Sequence, residues 1–311
     1  MPPLQALLAI SPADALATAV RAAALAAGLS ALENLVDHRT FEAHGILAWR
    51  VRARGETLRA FRWLSTPLGV RALTGRGVTA ITTGVLALAI TLLAWPMCWP
   101  AALGLLALEV VCLVRNRPGA DAADQMIRII LVIGAVAGLV GTPWFAAAAC
   151  LILAGHLGVG YFTSGVWKGM ATPWLSGQGF CGTLTTEYFS HGAVARVVHR
   201  HPRIGHAAAI SVVLWECSAF VALGAGPWLF WPWLALGIAF HLGSAQVMGL
   251  PGFAITFIGC YPALIVANRL LTTTPELRPL GLLLALGSVL IAGIFIAHER
   301  GRRAGAGNRT G

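Results

Sequence analysis

Lysine is almost missing from this chain. Lys168 is the only one, and every other basic side chain is an arginine. Charge of either sign is scarce: Asp, Glu, Lys and Arg make up 11% of the residues, against about 25% in soluble domains. That deficit excludes a surface facing only water and implies a large area facing lipid. Alternation of apolar and polar residues over about 10 positions is also missing, which argues against a membrane β-barrel. No tandem repeat of fixed period and no soluble domain are evident. The six cysteines (Cys98, Cys112, Cys150, Cys181, Cys217 and Cys260) are scattered, mostly within apolar runs. They show no CxxC or Cys/His spacing, so they read as small apolar fillers and no metal site is expected. A basic leader region and a small-residue cleavage site are not evident, so no signal peptide is expected. Ser11-Pro12 instead reads as an N-cap followed by proline at the first helical position.

What the chain does have is apolar length. Hydrophobic residues make up 57% of it, in runs long enough to cross a bilayer as helices. The expected fold class is all-α: a polytopic membrane bundle of about eight or nine transmembrane helices, forming one membrane domain over 1–311. Nine segments are candidates: 13–34, 77–95, 99–115, 126–142, 144–168, 205–224, 227–248, 252–270 and 278–298. Tryptophans in "WPMCWP" (95–100) and "PWLFWPW" (227–233) fall at turn level, as an interfacial aromatic belt would.

The net charge is +10. The arginines sit in the connections, so they read as topology determinants and anionic-lipid contacts. The expected partner is the lipid bilayer, not nucleic acid. With nine spans, one side receives 18 of the 22 basic residues. The positive-inside rule makes that side cytoplasmic, with the C-terminus there too. The expected location is the bacterial cytoplasmic (inner) membrane. Two connections are long. Residues 36–76 are basic and spaced as an interfacial amphipathic helix. Residues 169–204 are too polar for lipid and read as a cytoplasmic loop or a partly re-entrant cap. The tail, 299–311, is basic and expected to be disordered.

Ionisable groups at membrane depth are expensive and face a cavity or a partner. The candidates are Arg21, Glu109, Asp124, Arg128, His156, Lys168, Glu216 and His241. Asp124 and Arg128 stand four residues apart and are spaced to pair with each other. Glu109 is near a helix end, within snorkelling reach. Glu216 sits in mid-helix with no local basic neighbour; it needs a partner from another helix or must stay protonated. His241 is also near mid-helix, where a hydrogen bond to a neighbour is the plain expectation. Lys168 carries the sharpest question. Arginine stays charged and cannot act as a base. A desolvated lysine can lose its proton and then accept one from a weakly acidic substrate. The plain alternative is a lysine snorkelling from a helix end.

Two stretches bear on that choice. "YFTSGVWKGMATPWLSG" (161–177) resembles the vitamin K-dependent gamma-glutamyl carboxylase family at Tyr161, Phe162, Gly165, Val166, Lys168, Trp174 and Gly177. "FHLGSAQVMGLPGF" (240–253) resembles a second segment of that family at Phe240, His241, Gln246 and Phe253. The likeness is clearest over 125–265 and is strongest to bacterial horizontally transferred transmembrane domain (HTTM) proteins of the sporulation-delaying protein B type. The resemblance implies that Lys168 is the base that deprotonates a reduced quinone of the vitamin K or menaquinol type, with O2 and CO2 as co-substrates. It implies that His241 lines or polarises the same cavity, with Tyr161 and Trp174 shaping it. Glu216, Gln246, Asp124 and His156 complete the expected binding residues.

The pattern also departs from the family. Asp124-Gln125 stands where the carboxylase has Asn-His. The family's large extramembrane region, which holds substrate and propeptide, has no counterpart within these 311 residues. Glutamate carboxylation therefore does not follow directly. Three functions stay open on sequence alone. The first is lysine-base chemistry on a quinol or other lipophilic substrate, in maturation of a secreted peptide. The second is a non-enzymatic membrane partner in peptide processing, export or immunity. The third is a transporter, although inverted repeats and paired broken helices are not evident. Lys168 is expected to point into a cavity shared with His241 rather than toward lipid.

Overall fold

A computed structural model describes residues 9–41, 75–116, 121–185 and 192–307. Most of the basic 36–76 connection lies outside the described residues. Among those described, the secondary structure is helical and no strand occurs. Seven helices are long and apolar enough to cross a membrane: Pro12–Val36, Arg76–Ala94, Ala122–Val140, Pro143–Met170, Pro227–Met248, Pro251–Thr273 and Arg278–Phe295. The protein is an all-α polytopic membrane protein.

The other two expected spans are helical but differ in form. Trp99–Asn116 carries Glu109 and Arg115, both buried in protein. The 205–224 segment is broken into Pro202–Cys217 and Ala219–Gly224. Ser218 marks the break. Its Oγ donates back to the Trp215 carbonyl at 2.9 Å, a bond that competes with the helical ladder and bends it.

Contacts divide the chain into two compact units: Met1–Ala15, Ala147–Ala254 and Cys260–Gly311 form one, and Leu16–Ala146 with Ile255–Gly259 form the other. In the second unit the helices Arg76–Ala94, Trp99–Asn116 and Ala122–Val140 pack in succession. The last of these begins four residues before the expected 126. Asp121 is its N-cap and accepts from the backbone N–H of Ala123 and Asp124, while Asp124 accepts from the N–H of Asp121 at 3.1 Å. This capping box satisfies helix-end donors that would otherwise be orphaned. Arg21 donates to the Leu93 carbonyl at 3.1 Å. Leu93 is next to the end of Arg76–Ala94, and Arg21 stays exposed.

In the first unit, the N-terminal helix is capped as its sequence suggests: the Ser11 Oγ accepts from the Asp14 N–H at 3.1 Å. The remaining elements of this unit are numbered here in chain order. They are α1 (Pro143–Met170), α2 (Thr172–Leu175), α3 (Gln178–Thr185), α4 (Gly192–Arg200), α5 (Pro202–Cys217), α6 (Ala219–Gly224), α7 (Pro227–Met248), α8 (Pro251–Gly259), α9 (Tyr261–Thr273) and α10 (Arg278–Gly307). Unit boundaries cut α1 after Ala146 and α8 after Ala254.

Residues 186–191 of the 169–204 connection lie outside the described residues. The connection holds the short helices α2, α3 and α4, which pack on one another and on α5. Gly177 makes the turn between α2 and α3. Its φ is +81°, and an added Cβ would fall 2.7 Å from the His206 Cα, so both backbone conformation and space call for glycine. The expected disordered tail begins as helix instead: α10 runs to Gly307. Alanine, glutamate and arginine propagate a helix already nucleated over an apolar span. Residues 308–311 lie outside the described chain.

Candidate functional site

The site is built on one face of α1. Tyr161, Ser164, Gly165 and Lys168 follow helical spacing of three, four and seven residues, so they stand above one another. Opposite them lies the end of α5. An added Cβ on Gly165 would come 2.7 Å from the Cys217 N and 2.8 Å from the Glu216 Cβ. Only a glycine lets the two backbones approach this closely. That approach brings the one lysine to a carboxylate 48 residues away.

Lys168 Nζ donates to Glu216 Oε1 at 2.5 Å and to Oε2 at 2.7 Å. Ser164 Oγ donates to the same Oε1 at 3.3 Å. The Lys168 side chain keeps 20% exposure and the Glu216 side chain 4%. Trp174 of α2 covers the ammonium, with its ring centroid 5.1 Å from Nζ, inside cation–π range. Phe180 of α3 meets Trp174 edge-on at 6.4 Å. A buried carboxylate therefore has its counter-ion, and the cation has an aromatic roof on the short helices.

His241 has a different setting. It is on α7, with 0% exposure. Its Nε2 is 2.7 Å from the Tyr161 hydroxyl, and Tyr261 OH is 3.4 Å from that same hydroxyl. Rings close around the imidazole: Phe253 at 4.9 Å, Phe240 at 5.2 Å and Trp215 at 6.2 Å between centroids. Trp215 and Trp233 stack at 5.4 Å. Each indole N–H donates to the other's backbone carbonyl, at 3.0 and 2.9 Å. This double bond between α5 and α7 sets Trp215 against Tyr161, at 4.8 Å.

Lys168 and His241 thus join through one helix, each with its own partner. Seven residues of α1, about 10 Å of rise, separate Tyr161 from Lys168. Of the other expected site residues, Glu216, Tyr161 and Trp174 belong to these two groups. Gln246 is exposed on α7. His156 is half-buried on α1, five residues before Tyr161 and so roughly 140° around the helix from it. Asp124 caps a helix in the other unit. Ser164, Trp215 and Tyr261 join the site without having been expected there. Ser164 had a readable signal, four residues before Lys168 on the same face. Trp215 and Tyr261 depended on contacts between distant helices. Among the described residues no group of His, Cys, Asp and Glu is placed to hold a metal ion.

Chemically, the first group can exchange a proton near the end of a membrane helix. The second presents two phenols and an imidazole in an apolar box. Comparison with known proteins returned no matching family model, no similar curated protein and no similar solved structure.

Proposed function

We propose that this is a membrane enzyme whose Lys168–Glu216 pair does acid–base chemistry on a lipophilic hydroxyl compound. The observation that carries the reading is the bidentate contact of the chain's only lysine with a buried carboxylate, on a helix end still partly open. A salt-bridged pair of this kind has room for one more proton. Lys168 passes one of its protons to the Glu216 carboxylate, its nitrogen takes the substrate proton as the O–H bond breaks, and the negative charge left on oxygen faces the cation. Proton transfer by a positioned side chain contributes about 10²–10⁴ in rate.

A reduced quinone of the vitamin K or menaquinol type is the substrate class that the family resemblance implies. What supports this class is an ion pair able to meet a hydroxyl, with the Trp174 ring beside it. When bound, such a quinol supplies the reducing power for reaction with O2, with CO2 as the family's further co-substrate. Maturation of a secreted peptide, with a partner protein in the same membrane, is the role we assign to that chemistry. The bacterial cytoplasmic membrane, with the C-terminus inside, is the location that the arginine distribution supports.

The test is to purify the protein with its native lipids, identify any bound quinone, and measure quinol-dependent oxygen uptake for Lys168→Arg and Lys168→Ala. Arginine keeps an ion pair with Glu216 but cannot serve as a base. Bound quinone and a loss of about 10²-fold or more in both variants are expected. Full activity in Lys168→Arg would sink the base role. It would favour the non-enzymatic reading, in which the pair only joins two helices.

A further inference from the structure

The cap carries a second feature that the ion pair does not use. From Gly192 to Trp215 the chain has no acidic residue, but it has Arg196, Arg200 and Arg203. Helix α4 is two-faced. Val194 and Val198 stand four apart and turn toward the protein. Val198 is 6% exposed and packs beside Gly205 of α5. Arg196 and Arg200 also stand four apart, roughly 120–160° around the helix from the two valines, and both are exposed. Arg203, His201 and His206 continue the exposed basic surface across the elbow into α5. Two apolar side chains lie among them, Val197 at 50% and Ile204 at 51% exposure.

The placement of this surface follows from the helices beneath it. Helix α1 has 28 residues and is about 42 Å long, more than the roughly 30 Å hydrocarbon core. Its far end, at Lys168 to Met170, lies near a membrane boundary. The cap packs beyond that end. Gly169 of α1 lies beside Val213 of α5, and Gly177, past the helix end, lies beside His206. An exposed face of paired arginines interleaved with aliphatic side chains, at that level, matches the headgroup and upper acyl region. The arginines reach phosphates and the valine and isoleucine enter the acyl boundary. Guanidinium groups bind phosphate oxygens bidentately. Zwitterionic lipids offer the same phosphate but no net charge to balance three cations.

We infer that the exposed face of α4 and the α4–α5 elbow, with Arg196, Arg200 and Arg203, is a docking surface for anionic phospholipid headgroups.

The test is a local one. A photoreactive benzoylphenylalanine replaces Val197, and the protein is placed in nanodiscs of phosphatidylcholine with a minor share of phosphatidylglycerol. Adducts are identified by mass spectrometry. Phosphatidylglycerol is expected to dominate the adducts well above its share. The preference should fall roughly fivefold for each arginine removed among Arg196→Gln, Arg200→Gln and Arg203→Gln, and should weaken in high salt. All three arginines are exposed, so the triple variant should fold; its unfolding temperature checks this. Adducts in the ratio of the bulk lipids, absence of lipid adducts, or an unchanged preference in the folded triple variant would overturn the proposal. Excess free glycerol phosphate is the last arm. If it abolishes the preference, the surface binds soluble phosphate esters and the lipid assignment fails.

Discussion

Two polar pairs stand on the same face of α1, and their surroundings oppose each other. Lys168–Glu216 is an ion pair at the helix end, roofed by one tryptophan and still partly open. Tyr161–His241 is a hydrogen bond two turns deeper, enclosed by aromatic rings with the imidazole fully buried. Burying a charge is tolerated only with a counter-charge and hydrogen bonds, whereas burying uncharged polar groups costs less and needs hydrogen bonds alone. The deeper pair therefore acts as a fixed post. The outer pair stays partly reachable, with the Lys168 side chain 20% exposed.

That contrast can be broken at four points. Glu216→Ala should have the largest effect. It leaves Lys168 desolvated without its counter-ion and should lower stability by about 3 kcal/mol, read as unfolding in mixed micelles. Adding Lys168→Met to Glu216→Met should recover most of that loss, because two apolar groups replace two charges. If the double variant is no better than either single one, the pair is not acting as a unit. Gly165→Ala comes next, at about 2 kcal/mol. The clash is with the backbone of Cys217, so α5 must move away, and quinol-dependent activity should fall with stability. Tyr161→Phe should lower stability by about 1 kcal/mol while leaving binding at the outer pair unchanged. An activity loss as large as that of Lys168→Ala would show that the inner pair belongs to the reaction. The smallest effect is expected for Trp174→Leu, about 0.5 kcal/mol. Its diagnostic is weaker retention of bound quinone at nearly unchanged unfolding temperature.

The outer and inner regions also differ in how readable they were. Helix existence followed directly from apolar length and from the Pro and Gly punctuation. Lys168 stood out by composition and Glu216 by its lack of a local partner. Their pairing was out of reach, because it depends on how α1 meets α5 across Gly165, a contact between residues 48 positions apart. The sequence allowed Asp124 and Arg128 to pair at i, i+4. Asp124 also completes a capping box with Asp121, a signal present in the spacing Asp-x-x-Asp before an apolar run. Gln246 was placed by family likeness alone, and it is exposed. The Ser218 break was hidden because apolar content continues through it. The Ser218 hydroxyl returns to the Trp215 carbonyl at that point. The fold of the cap had partial signals, Pro173 and Gly177, but its packing on α5 comes from tertiary contacts.

The reciprocal indole bonds between Trp215 and Trp233 have a mechanical consequence. Two hydrogen bonds run in opposite directions between the same pair of residues, so sliding or rotating α5 against α7 breaks both at once. Tyr161 meets that junction tilted to Trp215 and edge-on to Trp233, and Lys168 shares its helix face. A twist of α1 large enough to expose Lys168 would unseat Tyr161 from its histidine in the same motion. The bundle therefore behaves as a clamped shaft. Trp174, which covers the lysine, stands outside that clamp, on a single turn of helix between Ala171 and Gly177 that packs on α3 and α5.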